Sequence, residues 1–321
     1  MLSVPQGHEH ELEDLEVINK WSKRIDGVFM PKKFKDIQDK VSGWKVNEED
    51  VWVVSFPKTG TTWTQEMVWL LLNDFNYKAA EQNLIKRSPH LEASALVRAP
   101  YVTFFSPFVP QPIKNSLKYA KTQKSPVCIK THLPWNLLPK EIQKEIKKPK
   151  IIYISRNPKD TCISYYHFSR LIKEYKGTLE EFCNLFLSGS VNFAPFWNHV
   201  LPFWKRHDDS NILFLKYEEL KSDLPGAIRK TAQFLEKDIT EDQLDKLVHH
   251  LSFESMRQNP AVNYDWLVKL SHMFKPDKDK TNSFMRQGKV GAFKETLTPE
   301  LIERFDKWTA ENTRGTGLTY P

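Results

Sequence analysis

The segment VSFPKTGTTW, residues Val54–Trp63, has the residue types of an anion-binding loop. A predicted strand leads into it and a predicted helix follows, so backbone N–H groups at the helix N-terminus would face a bound anion. Gly60 lets the backbone turn tightly and approach an oxyanion closely, and Lys58 adds a positive charge. Thr61 and Thr62 supply further hydrogen-bond donors, and the ring of Trp63 is suited to stacking on a base. The segment therefore predicts an anion or nucleotide site.

Two features separate this loop from the Walker pattern GxxxxGK[ST]. Lys58 precedes Gly60, and the glycine-rich lead is missing. No predicted strand downstream ends in an aspartate that could hold Mg²⁺, since the third predicted strand ends in Ser155 and is followed by Arg156. We therefore expect the anion site to work without a metal ion.

Arg156 and Ser164 form a second candidate for anion binding. Ser164 lies eight residues after Arg156, about two turns into the predicted helix. A chain that folds back there would bring both side chains onto one phosphate, because an arginine binds two oxygens and a serine adds a donor. An arginine and a serine at this spacing occur by chance in most proteins, so the pair alone is equally compatible with having no functional role.

Lys130 and His132 follow another predicted strand, in the segment VCIKTHLP. Ligands of open α/β sheets bind at the carboxyl ends of the strands. An imidazole titrates near neutrality, which suits a general base. A lone histidine in a loop is more often inert, so from these residues alone both interpretations of His132 stay open.

Alternating strands and helices must position these groups. Four apolar, β-branched runs predict buried parallel strands: Val51–Phe56, Val127–Lys130, Lys150–Ser155 and Asn211–Lys216. The segments between and after them predict helices: Thr62–Phe75, Pro158–Lys173, Leu224–Glu236 and Thr240–His250, the last with Thr240 and Gln243 as a capping box. The pattern indicates one α/β domain with a central, mainly parallel sheet flanked by helices.

Composition excludes several protein classes. The chain has 321 residues, 40% of them hydrophobic and 27% charged, which is an ordinary globular balance. Three cysteines are too few for a disulfide framework, and no apolar run reaches the length of a membrane helix. We expect a cytoplasmic protein that binds neither membrane nor nucleic acid, because the net charge of +7 is mild for its size. The aromatic and proline-rich stretch Arg98–Lys124 predicts a long loop or irregular helical excursion, either a lid or a surface feature.

The motifs together resemble those of the cytosolic sulfotransferases. PKTGTTW is similar to the 5′-phosphosulfate loop of that family, KTHLP matches its catalytic segment residue for residue, and RNPKDTCISYYHF resembles its RNxKDxxxSxxxF pattern. FMRQGKVGAFKE resembles FxRKGxxGDWK, with Gln287, Ala292 and Phe293 as departures. The resemblance covers about Val51 to Arg304 and implies a P-loop nucleotide-kinase-like sulfotransferase fold, as one domain over residues 1–321 with a core at about 45–305.

The resemblance also implies a cofactor and roles for named residues. The co-substrate would be 3′-phosphoadenosine 5′-phosphosulfate (PAPS), released as adenosine 3′,5′-bisphosphate (PAP). His132 would be the general base, Lys58 would stabilise charge on the leaving group, Lys130 would hold the transferring group, and Ser164 would hold Lys58 until the acceptor binds. The implied cofactor-binding residues are Lys58, Thr59, Gly60, Thr61, Thr62, Trp63, Arg156, Ser164, Tyr217, Leu251, Ser252, Phe253, Met256, Arg286, Gln287 and Gly288.

The acceptor would be a small hydrophobic molecule with a hydroxyl or amine, such as a phenol or alcohol handled in detoxification. Candidate pocket walls are aromatic: Phe29, Phe104, Phe105, Phe108, Tyr166, Phe168 and Trp266. A PAPS-dependent dehydratase that eliminates sulfate from a sulfated alcohol is an alternative, and a nucleotide kinase or a nucleic-acid-binding protein is a more distant one. The resemblance also points to a homodimer through Lys294, Thr298 and Glu303, weakened by Pro299, which lacks a backbone N–H.

Overall fold

A parallel four-stranded sheet forms the centre of the computed structural model, which describes residues 21–97, 109–172, 175–273 and 283–321. The strand order is β4–β3–β5–β6, with all three neighbouring pairs parallel. The bounds are β3 Val51–Val54, β4 Cys128–Thr131, β5 Lys150–Ser155 and β6 Ile212–Lys216. The α/β class and the four predicted strands are confirmed.

The first of these strands is shorter than its sequence pattern predicts. It ends at Val54 rather than Phe56. The carbonyl of Phe56 already accepts a hydrogen bond from the Thr59 hydroxyl at 2.8 Å, so the chain turns into the loop there. A short antiparallel hairpin, β1 Ser22–Ile25 with β2 Val28–Pro31, precedes the sheet.

Eight helices of eight or more residues stand out among the described residues. They are α1 Thr61–Leu72, α2 Pro158–Ile172, α3 Leu179–Leu187, α4 Phe196–Trp204, α5 Leu224–Phe234, α6 Glu241–His250, α7 Asp265–Met273 and α8 Pro299–Thr313. Shorter α-helices are Gln38–Ser42, Tyr77–Ala80, Leu84–Arg87, Ala93–Leu96, Gln111–Lys114, Ser116–Lys121, Lys140–Gln143, Tyr217–Ser222, Phe253–Gln258 and Phe293–Thr296, and 3-10 turns lie at Lys32–Asp36 and Trp135–Leu137. No helix in these ranges is long and apolar enough to cross a bilayer.

Helix ends follow local chemistry. The predicted capping box of α6 is confirmed: Thr240 Oγ1 accepts from the Gln243 N–H at 3.3 Å, and Gln243 Oε1 accepts from the Thr240 N–H at 2.9 Å. Helix α1 ends at Leu72, three residues before the predicted end, because Asp74 and Phe75 adopt positive φ angles of 49° and 58°.

Two hydrophobic clusters cover the two faces of the sheet, since successive strand residues point to opposite sides. Trp52 and Tyr153 face a cluster built with α2, α3, α4 and α8. Val53 and Ile152 face a second cluster built with α1, α5 and α6. Helices on both faces leave the carboxyl edge of the sheet open for a site.

The stretch Arg98–Lys124 is partly helical where the structure describes it. Residues 98–108, and with them Phe104, Phe105 and Phe108, lie outside the described residues. The following segment forms the short helices Gln111–Lys114 and Ser116–Lys121. The helical excursion is therefore confirmed for that part, whereas the lid stays a prediction.

Candidate active site

The carboxyl ends of β3, β4 and β5 open into one cavity of about 420 Å³. Lys58 comes from the loop after β3, Lys130 and His132 from the end of β4, and Arg156 from the residue after β5. Ser164 reaches the same cavity from α2. Chemistry-bearing residues from three separate motifs thus share one space.

The loop before α1 presents the helix N-terminus to this cavity. Gly60 has a φ of +111°, and a Cβ added there would lie 2.9 Å from Cδ2 of Tyr217, so only glycine fits. Thr61 and Thr62 open the helix and line the cavity. The Thr59 hydroxyl instead donates to the carbonyls of Phe56 and Ile154, at 2.8 and 3.0 Å, so it holds the loop to the sheet.

Among the described residues, six cationic side chains line the cavity: Lys58, Lys130, Arg156, Lys221, Arg286 and Lys289. Burial, followed by the charges of Lys130, Arg156 and Arg286, lowers the pKa of Lys58 to about 7. Burial also lowers the pKa of Lys130 to about 8, against the attraction of Glu92. Crowded positive charge in a partly dehydrated site is stabilised when an anion enters.

The Lys58 ammonium lies against two aromatic rings. Its Nζ is 3.9 Å from the ring centroid of Phe284 and 4.9 Å from that of Phe168, both within cation–π range. Phe284 and its neighbour Met285 also line the cavity, and sequence analysis missed both. Both residues directly precede Arg286 in sequence, and this position could have indicated that they line the cavity.

Several contacts hold Arg156 at one end of the cavity. Its Nη2 donates to the Lys289 carbonyl at 2.8 Å and lies 3.9 Å from the Asp160 carboxylate, and its guanidinium lies 4.3 Å from the ring centroid of Tyr217. Its Nε is buried and has no hydrogen-bond partner among the described residues. An unpaired buried donor of this kind fits a phosphate oxygen.

A loop that follows Arg286 closes the same end. The buried Asp160 carboxylate accepts from the backbone N–H groups of Gly291 at 2.7 Å and Phe293 at 3.1 Å. Gln287 and Gly288 line the cavity beside Arg286. Phe293 is buried in the core, so the departure from Asp-Trp at Ala292 and Phe293 keeps an aromatic anchor for the loop.

Aromatic and apolar side chains line the region next to Arg156. The rings of Trp63 and Tyr217 meet edge to face, with centroids 5.6 Å apart. Leu251, Phe253 and Met256 line the cavity nearby. Ser252 instead caps the helix Phe253–Gln258 by accepting from the Ser255 N–H at 3.2 Å, so its side chain is used within the chain.

The ring of His132 is fixed by a backbone carbonyl. Nδ1 lies 2.8 Å from the Ser55 oxygen, which can only accept, so Nδ1 carries the proton and Nε2 is left with a lone pair. Burial, and then the charge of Lys130, holds the pKa of His132 well below its usual range. The ring is therefore neutral at pH 7 and can accept a proton.

A buried carboxylate that sequence analysis missed supports this histidine. Glu92 accepts from the His132 backbone N–H at 2.7 Å, from the Thr131 hydroxyl at 2.8 Å and from Nε2 of His90 at 2.8 Å. Burial alone would raise the pKa of Glu92, but His90 and these hydrogen bonds outweigh it and lower the pKa. Glu92 is therefore an anion that fixes the end of β4.

Sequence and structure comparisons identify the family. The family model described as a sulfotransferase domain matches residues 48–317. The chain is 42% identical to the luciferin sulfotransferase of Photinus pyralis over 288 residues, covering 89% of this chain and 77% of the relative. It is 36% identical to sulfotransferase 1B1 of Mus musculus, covering 93% and 94% of the two chains. The chain belongs to the sulfotransferase family.

Solved structures agree with this sulfotransferase assignment. A crystal structure of retinol dehydratase in complex with androsterone and the inactive cofactor PAP superposes with a TM-score of 0.84 at 26% identity, covering 97% of this chain and 96% of that one. Mouse sulfotransferase 7A1 complexed with PAP superposes with a TM-score of 0.69 at 24% identity, covering 92% and 95%, and supports the fold alone.

The far end of the sulfotransferase cavity is mostly apolar. Phe168 and Trp266 line it, as does Phe193, which sequence analysis missed. The structure does not bring Phe29 and Tyr166 there. Phe29 belongs to the hairpin strand β2, where its N–H donates to the Ala194 carbonyl. The Tyr166 hydroxyl accepts from Arg170 at 3.1 Å. Further walls come from three short helices and from the residue after one of them: Ile85, Ala93, Leu96, Val97 and Ile113.

The segment expected at a dimer interface of the sulfotransferase lies on the surface. Lys294, Thr298 and Glu303 are all exposed, in the short helix Phe293–Thr296 or at the start of α8. Thr298 caps α8 by accepting from the Leu301 N–H at 3.3 Å, so part of its side-chain chemistry is used within the chain. The dimer stays a prediction.

Proposed function

We propose that this sulfotransferase moves the sulfuryl group of PAPS to the hydroxyl or amine of a small apolar acceptor. The observation that carries the proposal is the composition of one cavity. It holds several cationic side chains and a helix N-terminus together with a neutral, proton-accepting His132, and apolar side chains form much of its remaining wall. Solved relatives of this fold contain PAP, which supports the same nucleotide here.

The residues present fit a nucleotide with two phosphate groups. The N–H groups of Thr61 and Thr62 with Lys58 would hold the 5′-phosphosulfate. Arg156, whose buried Nε has no partner in the described part of the chain, and Arg286 would hold the 3′-phosphate. Further contacts to the base would come from Trp63, Tyr217, Phe253 and Met256.

The nucleotide supplies the sulfuryl group, and the protein supplies proton transfer and charge stabilisation. His132 Nε2 takes the acceptor's proton while the acceptor oxygen or nitrogen bonds to sulfur and the sulfur–oxygen bond to the 5′-phosphate breaks. Lys58 and Lys130 stabilise the negative charge that develops around that bond. Because His132 stays neutral, it is ready for each acceptor without prior deprotonation.

Two assays test this proposal. Purified protein, PAPS and a panel of phenols, alcohols and amines should give sulfated products, and calorimetry should detect PAP binding. Arg156→Ala should weaken PAP binding by about 10- to 100-fold, as expected for a lost charge-assisted contact, whereas the exposed Arg304→Ala should not. The proposal would be overturned if the unmodified protein neither transferred the sulfuryl group nor bound PAP.

A dehydratase is the second candidate, because the retinol dehydratase structure superposes closely on this chain. That activity would transfer the sulfuryl group first and then eliminate sulfate, leaving an alkene. Mass spectrometry of the products with an allylic alcohol separates the two, since a retained sulfate ester supports transfer and loss of water from the alcohol supports dehydration.

The cytoplasm is the compartment that we propose. All three cysteines are free and buried, as in proteins of reducing compartments. Localisation of a tagged protein by fluorescence, with both termini tagged in turn, checks it.

A further inference from the structure

A second histidine lines the acceptor end of the cavity beside the first. The rings of His90 and His132 meet edge to face, with centroids 5.1 Å apart and planes at 88°. Both rings line the same cavity. His90 is placed there by the backbone, since the Leu91 N–H donates to the Lys130 carbonyl and the Lys130 N–H to the Pro89 carbonyl, each at 2.9 Å.

The protonation of His90 follows from its partner. Its Nε2 lies 2.8 Å from Oε1 of Glu92, an ionised carboxylate that can only accept, so Nε2 carries a proton. Burial, partly offset by Glu92, lowers the pKa of His90, so the ring is neutral and Nδ1 has a lone pair. Nδ1 has no hydrogen-bond partner among the described residues, and because the ring lines the cavity, Nδ1 is the atom available to a ligand.

Lys130 is the charged neighbour of this acceptor in the cavity, since its charge acts on His90. The same cavity also has apolar walls among the described residues, which include Ile85, Ala93, Val97, Ile113 and Phe193. Ser88 also lines the cavity, but its hydroxyl donates to the Cys128 carbonyl at 2.8 Å and accepts from Gln65 at 2.9 Å. In an apolar pocket, a few placed polar groups decide which ligands bind.

We propose that His90, held by Glu92, recognises a second hydrogen-bond donor on the acceptor, next to the group that is sulfated. The two imidazoles are neighbours, so the two donors must also be neighbours, as in 1,2-diphenols, vicinal diols and 2-aminophenols. His132 takes the proton of the reacting group, while Nδ1 of His90 accepts a hydrogen bond from the adjacent one. This inference rests on the proposed sulfuryl transfer and names its preferred acceptor class.

The energetic consequence is a preference rather than a requirement. An acceptor without the second donor leaves Nδ1 of His90 desolvated and unpaired, and the lost hydrogen bond to a buried group lowers kcat/KM by about tenfold or more. A donor on the opposite side of the ring cannot reach His90 once the first hydroxyl faces His132. Position, and not the number of hydroxyls, is therefore the expected determinant.

Three simple phenols test this position dependence. We would measure kcat/KM with PAPS for phenol, catechol (1,2-diol) and hydroquinone (1,4-diol), in the unmodified protein and in His90→Phe and His90→Asn. Phenylalanine keeps an aromatic ring but removes both nitrogens, whereas asparagine can present an oxygen near the position of Nδ1. Comparing each catechol-to-hydroquinone ratio between variants cancels the intrinsic reactivities of the phenols.

The catechol-to-hydroquinone ratio should fall about tenfold in His90→Phe and recover at least partly in His90→Asn. An unchanged ratio in His90→Phe would overturn the inference. PAP binding, measured in parallel, shows whether each variant is folded. If a variant is not folded, the affinities of catechol and hydroquinone for the unmodified protein with bound PAP are measured instead. Equal affinities would overturn the inference. If the protein transferred the sulfuryl group to none of the three phenols and to no other acceptor, that result would instead contradict the proposed function.

Discussion

The imidazole of His132 donates a hydrogen bond from Nδ1 to the backbone carbonyl of Ser55 over 2.8 Å. The contact joins the residue after β3 to the residue after β4, so the geometry of the sheet sets the direction of the ring. It also fixes the tautomer, because a carbonyl can only accept. Nε2 is the ring nitrogen left for proton transfer.

Replacing His132 with alanine should lower kcat with little change in nucleotide binding. Loss of a general base costs about 10²- to 10⁴-fold in rate, while the cationic end of the cavity keeps its residues. Steady-state kinetics and PAP calorimetry measure the two effects. His249→Ala, which changes an exposed histidine near the end of α6, is the matched control and should keep its turnover. Normal kcat in His132→Ala would exclude this residue as the base.

Nucleotide affinity should depend on pH through the two lysines. The pKa values of Lys58 and Lys130 in the free protein are about 7 and about 8. Below pH 7 both are charged and attract an anion. Above these values they lose their protons, and binding must restore them, so PAP affinity falls as the pH rises through this range. Binding therefore takes up protons near neutral and mildly alkaline pH.

Calorimetry in two buffers with different heats of ionisation measures this uptake. At about pH 8 the nucleotide phosphates are already ionised, so the uptake reports on the protein. Lys58→Met should reduce the uptake as well as the affinity. Equal binding heats in the two buffers would show that these lysines are already charged in the free protein.

The sheet and the loop that opens α1 could be predicted because their signals are local. An apolar strand followed by PKTGTTW specifies a strand, a tight turn at Gly60 and a helix within a few residues. The capping box of Thr240 and Gln243 is equally local. Motifs at the ends of parallel strands meet at one edge of the sheet, so their convergence also follows from the strand pattern.

The acceptor end could not be predicted because it depends on tertiary contacts. His90 and Glu92 lie in a segment without helical or strand periodicity, and their roles arise from hydrogen bonds to the end of β4. The same limit applies to Phe284, which contacts Lys58 across more than two thirds of the chain. Phe29 and Tyr166 have the composition of pocket walls, yet Phe29 is buried outside the described cavity lining and Tyr166 packs in the core against Phe182.

Gly288 should not tolerate a side chain. Its φ is +61°, and a Cβ there would lie 2.5 Å from Cδ2 of Phe253, so the ring or the loop with Arg286 would have to move. Gly291→Ala is the matched control, because its φ is +76° but the nearest atom to its Cβ is 4.0 Å away. Both variants carry a left-handed backbone cost of about 1–2 kcal/mol. Gly288→Ala alone should also weaken PAP binding, by about tenfold, and equal affinities in the two variants would contradict this account.

A buried ion pair behind α1 should matter for stability rather than for chemistry. Glu66 and Arg87 are bonded to each other with side chains 0% and 2% exposed, and Nε2 of His250 lies 2.8 Å from the other Glu66 oxygen. Glu66→Ala leaves the Arg87 guanidinium buried without its counter-ion, which costs about 3–5 kcal/mol of unfolding free energy. Urea denaturation followed by circular dichroism measures the loss.

The surface pair of Arg229 and Glu241 provides the control for this prediction. Its side chains are 47% and 73% exposed, so solvent screens their attraction. Removing one partner therefore leaves no buried, unpaired charge. Glu241→Ala should therefore leave the urea midpoint almost unchanged, while Glu66→Ala lowers it strongly at a similar dependence on denaturant. If the two variants lost the same stability, burial of the Glu66–Arg87 pair would not be the reason for the effect, since burial is what distinguishes the pairs.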